Sequence, residues 1–282
     1  MPRFDTGSPR QDAQEDFTRE RRRRAFERLV RRLRREPSDV DVILPYEEVI
    51  AALGFAGQRH VGVQLVPLDS IAGSVDRTVE FDRQFRPTSA RTRARWERIA
   101  LAYRRGEGLP PVELFRIGEL HFVRDGHHRI SVAKAHGLDR IEADVTEVVT
   151  KMGTGREIRL ADLPMKGHER LFWERVPLPP DARSQIRIED PWDYAMLAEG
   201  VEAWGFRAAQ DRGSHMSREE VALAWFKDEY EPVIATLREC GLIGPRSETE
   251  AYMRVVSERY RLMRTHAWSP EIWDRLTREL GG

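Results

Sequence analysis

Residues 122–133, FVRDGHHRISVA, leave this chain few ways to fold. Leu120, Phe122 and Val123 make an apolar run that ends in a turn at Gly126, and a helix opens at about His128. A strand that passes straight into a helix excludes an all-helical or an all-strand body here and calls for a mixed α/β unit. The neighbouring residues agree. PPVELFRIG and ELHFVRDG read as two strands joined by a hairpin turn at Gly118. HRISVAKAHG reads as a helix closed by Gly137, and RIEADVTEVV as a further strand. Upstream, GVQLVPLDSI is a strand running into a polar turn at Pro67–Asp69. Thr92–Arg105 is a helix with Trp96, Ile99, Ala100 and Tyr103 on one face, broken by Gly106 and Gly108. The order over 61–149 is β, α, β, β, α, β.

The flanks differ from this unit. Residues 1–14 are polar, with Pro2, Gly7 and Pro9, and are expected to be disordered. Glu15–Glu36 is an arginine-rich helix opening a helical segment over 15–60. Its Phe26, Leu29, Val30 and Leu33 form one stripe expected to pack on the body, and Pro37 is expected to end it. A short helix over Tyr46–Leu53 follows, closed by Gly54. Residues 150–190, rich in Pro and Gly, read as a linker or wrapping segment. Residues 191–282 read as an all-α region. Ser217 with Glu220 and Ser247 with Glu250 are capping-box starts there, and Ser269–Pro270 is a further helix start. Trp192, Trp204, Trp225, Trp268 and Trp273 are expected to anchor its core.

Charge narrows the function. Lys+Arg and Asp+Glu are both 47, so the net charge is zero and any nucleic-acid affinity must come from a local patch. The basic helix is such a patch. The single cysteine, Cys240, allows neither an intrachain disulfide nor a cysteine zinc site, which fits a reducing cytoplasm. No apolar run approaches the length of a membrane span, and no membrane partner is expected.

The strand–turn–helix segment also carries the chemistry. A helix N-terminus offers free N–H groups to an anion such as phosphate, and Gly126 lets the backbone come close. Arg129 adds a cationic fork. Asp125 can accept a hydroxyl proton or help hold magnesium. His127 and His128 can donate to phosphate or shuttle protons, and being adjacent, at most one of them faces the site.

From about Val66 to Val148, through VPLDSI and then LPPVELFRIGELHFVRDGHHRISVAKAHGLDRIEADV, the chain resembles the N-terminal domain of the ParB/sulfiredoxin superfamily. The resemblance implies that fold for 61–149 and a nucleoside triphosphate cradled by the turn, with Gly126 and Arg129 aligned to the family's glycine and arginine. Sulfiredoxins carry a cysteine where His127 stands, so their chemistry is set aside. Partition ParB proteins carry two arginines in the turn and a helix-turn-helix reader downstream, and neither is legible here. DGHHR is instead similar to the turn of ParB-like free-serine kinases, which implies that Asp125 handles a substrate hydroxyl. Those enzymes also need an acidic residue after the first strand. Asp76 is the expected one, with Asp69 or Glu80 as substitutes. Arg77 matches a ParB arginine that can reach phosphate.

The expected catalytic residues are therefore Asp125, Asp76 and His127. The expected nucleotide-binding residues are Gly126, His128, Arg129 and Arg77, and no protein metal site is expected. The cofactor is a nucleoside tri- or diphosphate with Mg2+. Hydrolysis as a switch and phosphoryl transfer to a small hydroxylated metabolite both stay open. The alternative is a DNA-associated partitioning or regulatory protein that uses residues 15–36.

Overall fold

The arginine-rich stretch is one long helix, α1 (Pro9–Leu33). The computed structural model describes residues 6–36, 41–155 and 157–280. Pro9 suits the first helical position, where a missing N–H costs nothing. Residues 9–14 are thus helical, a correction to their expected disorder. Residues 1–5 and Pro37 lie outside the described residues.

The N-terminal half of α1 packs as a helix should, with Ala13 and Phe17 buried against Trp96, Ala100 and Val132. Its buried Asp12 and Asp16 meet Arg104 at 3.6 and 2.6 Å. The C-terminal half reverses the expectation. Phe26, Leu29 and Leu33 are 67, 56 and 76% exposed. The side turned to the body carries charge instead: Arg24 pairs with Asp82 at 3.2 Å, Glu27 with Arg86 at 2.8 Å, and Arg31 with Asp41. The cause is what lies beneath. Asp82 is buried and needs cations around it, which an apolar stripe cannot supply.

A six-stranded sheet follows. Its elements are β1 (Leu44–Pro45), α2 (Tyr46–Leu53), β2 (Phe55–Pro67), β3 (Ile71–Ser74), α3 (Arg93–Arg104), β4 (Val112–Ile117), β5 (Leu120–Asp125), α4 (His127–Ala135) and β6 (Arg140–Thr150). The order across the sheet is β1-β3-β5-β4-β6-β2. β4 pairs antiparallel with β5 and parallel with β6, and β3 pairs parallel with β5. The strand expected at GVQLVPLDSI, running into a polar turn at Pro67–Asp69, is the end of β2, and a helical turn over Leu68–Ser70 leads from it into β3. Pro67 has no N–H to continue a ladder, and Ser70 Oγ donates to the Pro67 carbonyl at 2.6 Å, which holds the intervening turn.

The two faces of the sheet carry separate cores. Ile71, Val112, Leu114, Val123 and Ile130 gather on the side of α4. Leu44, Val49, Leu53, Leu120 and Phe122 gather on the side of α2. Trp96 Nε1 on α3 donates to Ser131 Oγ on α4 at 2.8 Å, and Tyr103 lies 4.6 Å, ring to ring, from His136. Those two ties make α3 and α4 neighbours running in the same direction, with both N-termini at one end.

The chain divides into two units, 1–167 and 168–282. The division falls within α5 (Leu163–Arg175), and α6 (Pro180–Arg183) follows, so residues 150–190, expected as a linker or wrapping segment, contain helix. The second unit is all-α, with α7 (Pro191–Arg212), α8 (Arg218–Trp225), α9 (Glu231–Glu239), α10 (Glu248–Met263) and α11 (Pro270–Leu280). Capping boxes open α8 at Ser217 and α10 at Ser247. Trp225 is fully buried and donates to Tyr252 Oη at 2.9 Å. Trp192 is not a core anchor: at the first turn of α7 it is 70% exposed. The molecule is therefore mixed α/β, with an N-terminal basic helix and an all-α C-terminal region. Among the described residues no helix is long and apolar enough to cross a membrane.

Candidate functional site

β5 delivers Asp125 to the surface, and Gly126 turns the chain into α4 with φ 100°. A Cβ at that position would lie 2.5 Å from Val112 Cγ1, so both the backbone angle and the packing demand glycine. Gly126 is also the N-cap of α4 and has no side chain with which to cap it. The N–H groups of the first turn are left for an acceptor from outside.

His127 pins a second segment onto this helix end. Its Nε2 is 2.7 Å from Ser74 Oγ and 3.7 Å from Asp76 Oδ1. Ser74 Oγ also accepts the Arg77 N–H at 3.0 Å. The ring lies among Phe81 and Phe85. Burial pushes the His127 pKa down to about 4, with Arg77 and Arg95 adding to the effect against Asp76 and Asp125. The imidazole is neutral at pH 7, so it positions the loop rather than carrying charge.

His128 is 5% exposed and meets Phe81 edge-on at 5.2 Å. Its Nε2 is buried with no hydrogen-bond partner. Burial lowers its pKa to about 4 as well, and Arg95, Arg77, His127 and Arg98 push the same way. Arg129 is engaged. Its Nη1 donates to the carbonyls of Pro110 and Pro111 at 2.5 and 2.8 Å, and its Nη2 to Asp125 Oδ2 at 2.5 Å. Arg77 pairs with Glu80 at 3.0 Å.

The loop between β3 and α3 holds this arrangement under some strain. Phe85 has φ 58°, unusual for a bulky residue, at a cost of about 1–2 kcal/mol. Asp82 enforces it. Its carbonyl accepts the Phe85 N–H at 2.7 Å, and its Oδ1 accepts the N–H groups of Gln84 and Arg86 at 3.0 and 2.9 Å.

Asp76, Arg77, Glu80, Asp125, Gly126, His127, His128 and Arg129 therefore come together around one helix end. Asp69 does not join them. It lines a cavity of about 640 Å³ near the far end of α4, beside Lys134 and Asp139. His121 is likewise engaged elsewhere, with Nδ1 2.9 Å from Ser70 Oγ. Sequence reading missed three participants. Ser74 is fully buried and joins β3 to His127. Arg95 and Arg98, one helical turn apart on α3, are exposed and act electrostatically on His128. Their signal was present, since Arg95 and Arg98 stand at i and i+3 within the helix expected over Thr92–Arg105, between its apolar positions.

No family model and no curated protein matches the chain. Among solved structures, one crystal form of a Pnob8-like ParB-N domain is similar at a TM-score of 0.22 and 14% identity, over 79% of this chain and 90% of that one. The pNOB8-like ParB N-domain is similar at 0.22 and 13%, over 79% and 85%. These structural neighbours are ParB N-domains, but a score of 0.22 carries nothing about the site across.

Proposed function

We propose that this chain binds a nucleotide by its phosphates at the Asp125–Arg129 turn, as the sequence resemblance implies, and hydrolyses it or transfers its phosphoryl group to a small hydroxylated metabolite. The observation that carries the reading is the uncapped start of α4, closed by a glycine in the left-handed region, beside the buried unpartnered His128 Nε2 and between two exposed carboxylates, Asp76 and Asp125. A nucleoside triphosphate supplies the transferable group, and Mg2+ offsets its charge. The first-turn N–H groups of α4 and His128 would hold a phosphate oxygen. Arg129 can do so only by releasing Asp125, and that exchange frees the Asp125 carboxylate to take a hydroxyl proton or face the metal. Asp76 faces the same space from the loop that His127 holds.

Isothermal titration with ATP, CTP and GTP in Mg2+, paired with phosphate release, tests this. Asp125→Asn should keep affinity within about threefold and lower turnover by roughly a hundredfold or more. Wild type binding none of the three nucleotides overturns the reading.

One observation favours the DNA-associated alternative. Arg21, Arg22, Arg28, Arg32 and Arg35 on or just beyond α1 are exposed, with no ion pair among the described residues. Deleting α1 would remove core residue Phe17, so the cleaner test is glutamate at Arg21, Arg22, Arg28 and Arg32. DNA retention that falls steeply with salt and vanishes in that variant supports this alternative.

A further inference from the structure

We infer that Arg95 and Arg98 on α3 form the second wall of the phosphate site, facing the Gly126–His128 turn, and that they select a triphosphate over a monophosphate. The inference rests on the nucleotide reading and adds to it a binding surface contributed by a different element. Three observations carry it. First, the Trp96–Ser131 and Tyr103–His136 contacts make α3 and α4 parallel neighbours. Two helix N-termini therefore open at the same end, and their positive dipole ends add there. Second, Arg95 and Arg98 lie in the first two turns of α3, are exposed, and have no hydrogen bond or ion pair among the described residues. Most other arginines around this end are neutralised: Arg77 by Glu80, Arg93 by Glu97, Arg129 by Asp125. Third, His128 lies one turn before Ser131 and Val132, the α4 residues that meet α3, and carries a buried ring nitrogen that no protein group satisfies. A buried polar atom without a partner is costly unless something outside the chain supplies one.

The chemistry that fits is a short chain of anionic phosphates. One phosphate would lie on the α4 N-terminus and His128, and the outer phosphates would extend toward Arg95 and Arg98. Each guanidinium presents a planar fork suited to phosphate oxygens. A single phosphate is held by the turn alone, and the arginines matter only as the chain lengthens.

The test is titration of ATP, CTP and GTP, their monophosphates, and inorganic tripolyphosphate, all with Mg2+, into wild type, Arg95→Ala/Arg98→Ala and Arg105→Ala. Arg105→Ala removes an exposed arginine at the other end of α3, one that meets Glu107 at 3.6 Å, and reports the effect of net charge alone. All three positions are exposed, so folding should survive, and far-UV circular dichroism checks this. The double variant is expected to lose about ten- to a hundredfold in triphosphate affinity. Monophosphate affinity should change by less than about threefold, and Arg105→Ala should match wild type. If the double variant binds triphosphates as wild type does, the inference falls while the nucleotide reading stands. If wild type binds tripolyphosphate but no nucleotide, and the double variant loses it, the second wall stands and the nucleotide reading falls. If wild type binds neither, both fall. An equal loss in Arg105→Ala overturns the local role of Arg95 and Arg98.

Discussion

Gly126 and the histidines around it set the constraints at the scale of single residues. Gly126→Ala must place a methyl group against the buried Val112 while holding φ near 100°. Overpacking and backbone strain together should cost about 2–4 kcal/mol in urea unfolding. Gly126→Asn should be no milder, because the clash begins at Cβ, and a tolerated asparagine would refute that cause. The histidines predict a pH dependence. Burial pushes His121, His127 and His128 down to about 4 from an ordinary value of 6.5. As pH falls, the unfolded chain takes up these protons first. Stability from this source is therefore full above 6.5, declines as pH drops toward 4, and changes no further below. Each imidazole accounts for at most about 3 kcal/mol. Urea midpoints should fall between pH 7 and pH 5, and His128→Phe should flatten part of that slope. An unchanged midpoint across that range contradicts the buried neutral state.

Among the elements, α1 shows most clearly what the sequence could and could not convey. Its helical character was legible from composition and period, and its apolar stripe was legible too. Which side faced the body was not, because that depends on Asp82, Arg86 and Asp41, which only the fold brings beneath it. The same limit applies to the site. The strand–glycine–helix turn is local, so Asp125, Gly126 and the histidines could be read directly. The Ser74–His127 tie and the approach of α3 to α4 are long-range and left no local pattern. Sorting α1 by its two halves makes a testable contrast. Serine at Phe26, Leu29 and Leu33 together should shift stability by no more than about 0.5 kcal/mol per position, since these side chains are already in water. Phe17→Ala should cost about 3–5 kcal/mol, since Phe17 is 2% exposed against Trp96. Chemical denaturation of the two variants checks this, and comparable losses would mean that the stripe is covered after all.

For the whole molecule, every residue of the candidate site lies between Ser74 and Arg129, inside the first unit. The second unit has its own core. Trp225, Tyr230, Leu237 and Val255 are buried in it, and Arg259, 1% exposed, pairs with Glu229 at 3.3 Å and stacks on Trp268 at 3.9 Å. A ligand stabilises what it binds by RT ln(1 + [L]/Kd), about 2.7 kcal/mol at a hundredfold excess over Kd. That stabilisation reaches only amides whose opening disrupts the bound state. Hydrogen exchange with saturating nucleotide and Mg2+ should therefore slow in Gly126–Ala135, where the phosphates would sit, and in residues 92–98, where the second wall begins. Exchange over Trp225–Arg259 should not change. The reverse pattern would move the site to the helical unit. Slowing in both units would show that they open together, and a local phosphate site alone would then not account for the response.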